Sequence, residues 1–500
     1  MANSTVSTVS SAIPDLQEIV TLLGPALHTL WLHVQAFREL PPTPERTCAF
    51  EKTTAEILRE AGRGLLENEY NHIEPEQLQD CPLRMQLAGQ EYRRRPKSPN
   101  DIGTLFGEIT LRRYLYEATE PGEPSLFPLE LHLGIEAGLA TPALAERMGS
   151  WSAEHEQEQV RHLLRQEHGL CWSVASVRKV VASLRDGLAS FREETQVAKL
   201  LEMLAQAQRS HGRHRAVLAA GRDGVHTPIR QKGYHEGATA TVSVLDRRGR
   251  RVGTVYLAQM PESGQGMLSA QLTALLTKVL AGWHARGQAA PRLAYVTDCG
   301  NHPKEYYKKV LRRMADPWRP GHQLAWQWIA DFWHACGYVH ELAEALFGEG
   351  SDCWKWFAKW RQWLRDRHQG LAHVLRSVMW HYNNKLNLSK ARDTKFWKAY
   401  SFLRKHGVWM HYAAYRRQGL PLGSGVTEAA CKTVFAERLK RSGMTWNLAG
   451  GQVILDIRVL VLSGVWQATH AIYLASRPIP KPMKTASHRV AQGEILKNAA

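Results

Sequence analysis

Three acidic residues occupy positions where a mixed sheet would gather them: Asp223 in "GRDG", Asp298 in "VTDCG" and Glu428 in "GSGVTEAACK". Converging carboxylates repel one another unless cations lie between them, so such a cluster implies bound metal. Ligands that are oxygen alone select a hard cation, Mg²⁺ or Mn²⁺. Two such ions about 4 Å apart activate an attacking oxygen and steady a leaving one during in-line displacement at phosphorus. Behind Glu428 follow Lys432, Arg438, Lys440 and Arg441. One acid at the mouth of a basic helix suits metal, and the cations behind it suit a phosphate backbone.

Each acid also has an ordinary reading. Asp223 before Gly224 fits a turn. Glu428 fits the first turn of a helix capped by Gly425, where the helix dipole favours a negative charge. Asp246 rivals Asp223 as the first acid, although the hairpin "DRRG" explains it without chemistry. Asp331 rivals Asp298 and has His334 one turn later. An Asp-x-x-His pair on one helical face binds metal, orients a phosphate or forms a buried salt link.

The elements that must carry these residues follow from hydrophobic spacing. "HRAVLAAGRDGVHTPIR" reads as a strand ending in the acid and glycine, and "ATATVSVLDRRGRRVGTVYLAQMP" as two strands joined by a hairpin. "MLSAQLTALLTKVLAGWHARG" repeats apolar residues at helical spacing, "RLAYVTDCG" is a short buried strand, "HPKEYYKKVLRRM" a helix, and "HQLAWQWIADFWH" a strand running into a helix. The order β-β-β-α-β-α-β predicts an α/β mixed sheet, three antiparallel strands followed by parallel units, with helices on its faces. Its first and fourth strands would be neighbours. Asp223 and Asp298 would then emerge together at the carboxyl ends of the strands, where open α/β sheets bind ligands.

Residues 335–422 read as helices alone and hold seven tryptophans, at 354, 356, 360, 363, 380, 397 and 409. These suit the aromatic core of an insertion, or stacking on unpaired bases. Before the sheet, "RRRPKSPND" at 93–101 reads as a basic connector, and "TLFGEITLRRYLYEA" and "SLFPLELHLG" as strands flanking the turn "TEPGEP". "AEHEQEQVRHLLRQEHG" and "SVASVRKVVASLRDGLA" follow as helix, glycine turn and helix, a helix-turn-helix pattern. Its second helix, with Ser173 as N-cap, offers Ser173, Ser176, Arg178 and Lys179 to base edges and phosphates.

Composition agrees with a polyanionic partner. Lys and Arg number 64 against 47 Asp and Glu, a net charge of +17, and an excess of that size attracts nucleic acid. No basic amphipathic anchor or lipidation signal points to a membrane surface, and the N-terminus lacks the pattern of a signal peptide. The seven cysteines are scattered with no Cys-x-x-Cys, which fits a reducing cytoplasm and neither a disulfide framework nor a zinc ribbon. The expected organisation is a helical region (1–100), a strand pair with a helix-turn-helix-like domain (101–212), a first core part (213–334), a helical insertion (335–422), a second core part (423–475) and a basic tail (476–500).

"LPLGSGVTEAACKTVFAERLKRSGMTW" resembles the C-terminal signature of ISKra-type bacterial insertion-sequence transposases, DDE enzymes similar to the mutator-like group. "GRDG", "VTDCG" and "DFWH" stand where that family keeps its two aspartates and its Asp-x-x-His motif, and "TLFGEITLRRY" and "PLELHLGIEAGLATPAL" match its N-terminal half. The resemblance covers roughly residues 50–470. It implies an RNase H-like core interrupted by the helical insertion, behind a mainly helical DNA-binding region. It also implies Asp223, Asp298 and Glu428 as catalytic, metal-holding residues with two Mg²⁺ or Mn²⁺ ions, and Asp331 with His334 in support. The implied partners are double-stranded DNA, as the element's terminal inverted repeats and as target, and further copies of the chain in a dimer or larger synaptic assembly. A nuclease without strand transfer and an inactive DNA-binding repressor remain as alternatives.

Overall fold

The computed structural model describes residues 16–74, 82–87, 89–120, 122–384, 388–478 and 481–482. Helix Leu16–Arg38 precedes helix Pro44–His72. The second is started by Thr43, whose side chain accepts from the Arg46 N–H, and by Pro44 in the first turn. Strands β1 (Arg84–Leu87), β2 (Gln90–Thr104) and β3 (Gly107–Ala118) then form an antiparallel meander. The two-residue strand Lys481–Pro482 pairs along the free edge of β1.

This meander corrects two expectations. "RRRPKSPND" is not a connector: it is the middle of β2, so the boundary expected at residue 100 falls inside a strand. Its backbone pairs with β3 from Tyr92↔Ala118 to Thr104↔Gly107, with one irregularity between Arg94 and Lys97 that takes in Pro96. Arg94 and Lys97 lie over the ring of Tyr114, so aromatic packing accommodates the charge. "SLFPLELHLG" is mostly helical. Pro128 sits in the first turn of helix Pro128–Leu133, which ends at Gly134 in the left-handed conformation, φ 70°. Only Leu126 keeps a strand-like bridge, to Tyr116. The hairpin partner of β3 therefore lies before it in the chain.

Helix Gln157–His168 ends at Gly169, φ 69°, and helix Val174–Arg209 begins behind Ser173, whose Oγ accepts the Ser176 N–H at 3.0 Å. In the turn between them Trp172 packs so tightly on Gly103 that a Cβ there would come within 2.5 Å of its ring. These elements, the last helix only as far as Leu184, fall in one compact unit, Met1–Trp151 with Glu156–Leu184 and Tyr473–Ala500; a second unit comprises Ser152–His155 and Arg185–Ile472. In the first unit, buried Glu136 is held by Ser183, Tyr473 and Arg477.

The second unit is built on strands β4 (Val217–Ile229), β5 (Gly233–Leu245), β6 (Arg251–Gln259), β7 (Arg292–Thr297) and β8 (Trp326–Ala330). Their order is β6-β5-β4-β7-β8, with β4, β5 and β6 antiparallel and β4, β7 and β8 parallel. The α/β mixed sheet and the adjacency of its first and fourth strands are as expected. Helix Gly266–Ala285 buries Leu268, Leu272, Leu275, Leu276, Val279, Leu280 and Trp283. Each such side chain contributes roughly 1.5–3 kcal/mol by leaving water.

Between β8 and residue 422 the described residues form the α-helices Phe332–Phe347, Ser351–Asp366, Gly370–Asn384, Lys390–His406 and Tyr412–Gln418. Of the seven tryptophans here, Trp356 is buried and Trp360, Trp363 and Trp409 are half-buried, while Trp354, Trp380 and Trp397 are exposed. Trp409 lies 3.9 Å, centroid to centroid, from the fully buried Trp328 of β8. Aromatic packing thus accounts for some of the set, and three rings face outward. Among the described residues no single helix is long and apolar enough to cross a membrane. Of the expected basic tail, residues 479–480 and 483–500 lie outside the described residues, as does Cys81.

Candidate active site

Asp223 does not end its strand. Parallel pairing with β7 stops at Gly221↔Val296, but β4 runs on to Ile229 because β5 continues beside it, pairing Asp223 with Thr239. The carboxylate therefore leaves the sheet two residues beyond the end of the β4–β7 ladder. Asp298 directly follows β7; its Oδ1 accepts the Gly300 N–H at 2.9 Å. Between them Cys299 adopts φ 68°, a left-handed conformation costly for a residue with a Cβ. That turn brings the chain sharply from β7 into helix Asn301–Lys309.

Glu428 arrives from the other side. Helix Gly425–Ala430 has Ser424, not Gly425, as its N-cap, and passes into a π-helical turn, Cys431–Ala436. Turns of this kind recur at functional sites. The helix is fixed to the sheet on both sides of the acid. Thr427 Oγ1 lies 2.8 Å from Thr241 Oγ1, and Cys431 Sγ lies 3.2 Å from Thr239 Oγ1 and 3.5 Å from Asp223 Oδ2. Gly221 is needed for this approach, since a Cβ there would stand 2.1 Å from Thr427 Oγ1.

Asp223 senses the other two acids. Burial chiefly, with the charges of Asp298 and Glu428, raises the Asp223 carboxyl to about 6. Burial, then Asp223 and Glu428, push the Cys431 thiol up to about 12. A carboxylate whose ionised form is disfavoured by burial and by neighbouring acids is one that a cation would relieve. In chemistry the oxygen donors fit a hard divalent ion. Yet among the described residues no three His, Cys, Asp or Glu side chains are grouped to hold an ion; the Glu428 carboxylate is engaged by Ser424 Oγ at 2.9 Å.

Asp331 follows β8, with its backbone N–H bonded to Thr297 O at 2.8 Å, beside the start of the Asp298 turn. Its side chain is 1% exposed and caps helix Phe332–Phe347 by accepting the His334 backbone N–H at 2.6 Å. His334 thus joins Asp331 through its backbone, while its exposed ring packs edge-on against Tyr338 and Phe402. The expected sharing of one helical face by two side chains is replaced by a cap. Asp246 is a turn residue: Oδ1 accepts the N–H groups of Arg248 and Arg250.

The basic residues divide. Lys432, Lys440 and Arg441 are exposed, and Arg441 also donates to the carbonyls of Glu437 and Glu154. Arg438 is not part of an exposed strip. It is 1% exposed, donates to Ser152 O at 3.0 Å and lies over the Trp446 ring. A backbone carbonyl and an aromatic ring thus meet its guanidinium where a phosphate is expected. In the first unit Ser173, Arg178 and Lys179 are exposed and Ser176 half-buried at the start of their helix; Arg178 donates to Gln157.

Spacing alone gave no weight to Ser424, Thr427, Cys431 or Gly221. The one available signal was the unusual crowding of small and hydroxyl-bearing residues in "LGSGVTEAAC". The chain matches no family model and no curated protein.

Proposed function

We propose that this chain is a transposase that binds the terminal inverted repeats of an insertion sequence and catalyses metal-dependent DNA strand cleavage and strand transfer. The observation that carries this reading is the effect of Asp298 and Glu428 on the buried Asp223 carboxyl, at the carboxyl edge of parallel strands. The strand order, interrupted by helices before Glu428, is compatible with an RNase H-like core. Asp223, Asp298 and Glu428 would hold two Mg²⁺ or Mn²⁺ ions, which supply charge neutralisation at phosphorus.

The chain's own residues set the rest. Lys432 offers an exposed cation one turn beyond Glu428. The helix behind Ser173 offers hydroxyls and cations to the element ends. Hydrolysis breaks one phosphodiester, with water attacking and the 3′ oxygen leaving as a hydroxyl. That hydroxyl then attacks a phosphodiester of the target and displaces another 3′ oxygen, so ester replaces ester and no external energy is needed. Joining two ends calls for a dimer or larger assembly, working on DNA in the cytoplasm.

Glu428→Gln tests the reading. Cleavage of end DNA is expected to fall by about a thousandfold or more, while end binding in EDTA persists. Unchanged cleavage refutes the assignment. A pre-cut end supplied with Mg²⁺ and target is expected to be joined, which a nuclease without strand transfer does not do. Among the described residues no His, Cys, Asp or Glu side chains are grouped as a ligand set, which is compatible with a second reading, a DNA-binding repressor derived from a transposase. Binding of ends by the wild type without any cleavage identifies that case.

A further inference from the structure

The loop that delivers Glu428 is tied to the end of β8. Phe332 N–H donates to Leu422 O at 3.0 Å, and Trp333 covers Gly423, where a Cβ would come within 2.9 Å of its ring. At Ser424 the tie becomes chemical. Asp331 Oδ2 accepts both the backbone N–H and the hydroxyl of Ser424, the hydroxyl at 2.6 Å, while Oδ1 accepts the His334 N–H. The same Ser424 Oγ stands 2.9 Å from Glu428 Oε1. One buried hydroxyl, 5% exposed as a residue, thus lies between a buried acid and the acid of the cluster.

A hydroxyl has one hydrogen and two lone pairs, so it donates to one carboxylate at a time. Asp331 keeps two backbone N–H donors whichever way that hydrogen turns. Turning it to Glu428 therefore leaves no buried charge unsatisfied. Asp331 itself, with both oxygens engaged and its side chain enclosed, is poorly placed to be a metal ligand.

We propose that Ser424 is a positioning residue: anchored by Asp331, its hydroxyl sets the orientation of the Glu428 carboxylate toward the acid cluster. Asp331 then acts on the metal ligands at one remove. This rests on the reading that Asp223, Asp298 and Glu428 bind divalent cations. Groups that orient a metal-binding carboxylate through a hydrogen bond typically govern affinity by about 10–100-fold.

The test uses the full chain and Mn²⁺, with binding read by electron paramagnetic resonance. Ser424→Ala is expected to weaken Mn²⁺ binding about tenfold or more, with the folded state and end-DNA binding in EDTA retained. Ser424→Thr, which keeps the hydroxyl, is expected to restore binding. Glu428→Asp, which keeps Ser424 but withdraws the carboxylate, is expected to lose affinity similarly, and the Ser424→Ala/Glu428→Asp double variant to lose no more than either alone. Wild-type affinity in Ser424→Ala, or additive losses in the double variant, overturns the inference while leaving the metal-site reading intact. Absence of Mn²⁺ binding by the wild type overturns both.

Discussion

The sulfur of Cys431 lies 3.5 Å from Oδ2 of Asp223, three residues beyond Glu428. It places a thiol among acids, where its ionised form is doubly disfavoured. Burial, then the charge of Asp223, hold it near 12. The thiolate is the reactive species. Iodoacetamide at pH 7.5 is therefore expected to label Cys431 more slowly than the exposed Cys48 and Cys171, by about tenfold or more. Mass spectrometry of the digested protein measures this, and equal rates would show that Cys431 is not shielded beside Asp223.

Asp223 carries a pH signature. An ordinary aspartate ionises near 4, whereas here burial, reinforced by Asp298 and Glu428, raises the folded value to about 6. Below about pH 4 the group is protonated in both folded and unfolded chains, so its full contribution to stability is present. That contribution is lost as pH rises through 6. Asp223→Asn removes the loss and is expected to be more stable than wild type at pH 8 in EDTA, on the order of 2 kcal/mol after solvent screening. Denaturation at pH 5 and pH 8 checks it, with the gap closing at the lower pH.

Gly221 and Thr427 form a steric lock. Gly221→Ala puts a methyl 2.1 Å from Thr427 Oγ1 and is expected to destabilise by about 1–3 kcal/mol. Thr427→Ala removes the obstructing oxygen. The double variant is expected to be more stable than the sum of the single losses predicts, as sterically coupled sites require. Chemical denaturation of all four proteins reads the coupling; strict additivity would disprove close approach.

Arg438 and Lys432 separate structure from binding. Arg438→Ala is expected to cost stability, about 2–4 kcal/mol, because a buried guanidinium leaves Ser152 O and Trp446 without their partner. Lys432→Ala is expected to leave stability within about 0.5 kcal/mol and to reduce the log–log salt dependence of DNA binding by about 0.9. Melting curves together with a salt titration of end binding distinguish the two.

The parts legible from sequence are those set by local rules. The β4–β8 order followed from alternation, from the hairpin closed by Asp246 and Gly249, and from short apolar runs ending in acids. Elements whose exposed residues contradict their backbone were not legible. Arginines and prolines between 93 and 101 carry no strand signal, and it is pairing with β3 and the Tyr114 ring that hold them extended. Leu129 and Leu131 alternate like strand residues, but Pro128 starts a helix there. At the site, charge counting treated Arg438 like its neighbours, although only burial distinguishes it. The bond network through Ser424 joins residues 93 positions apart, which no spacing within one element reveals.

Glu136 near the start of the chain depends on Tyr473 and Arg477 near its finish. A ribosome has therefore synthesised the whole unit built on β4–β8 before the earlier one receives the side chains that bond its buried acid. Removing residues from Tyr473 onward is expected to injure the part of the protein made first, and a peptide ending before residue 473 should be judged by the folding of its beginning.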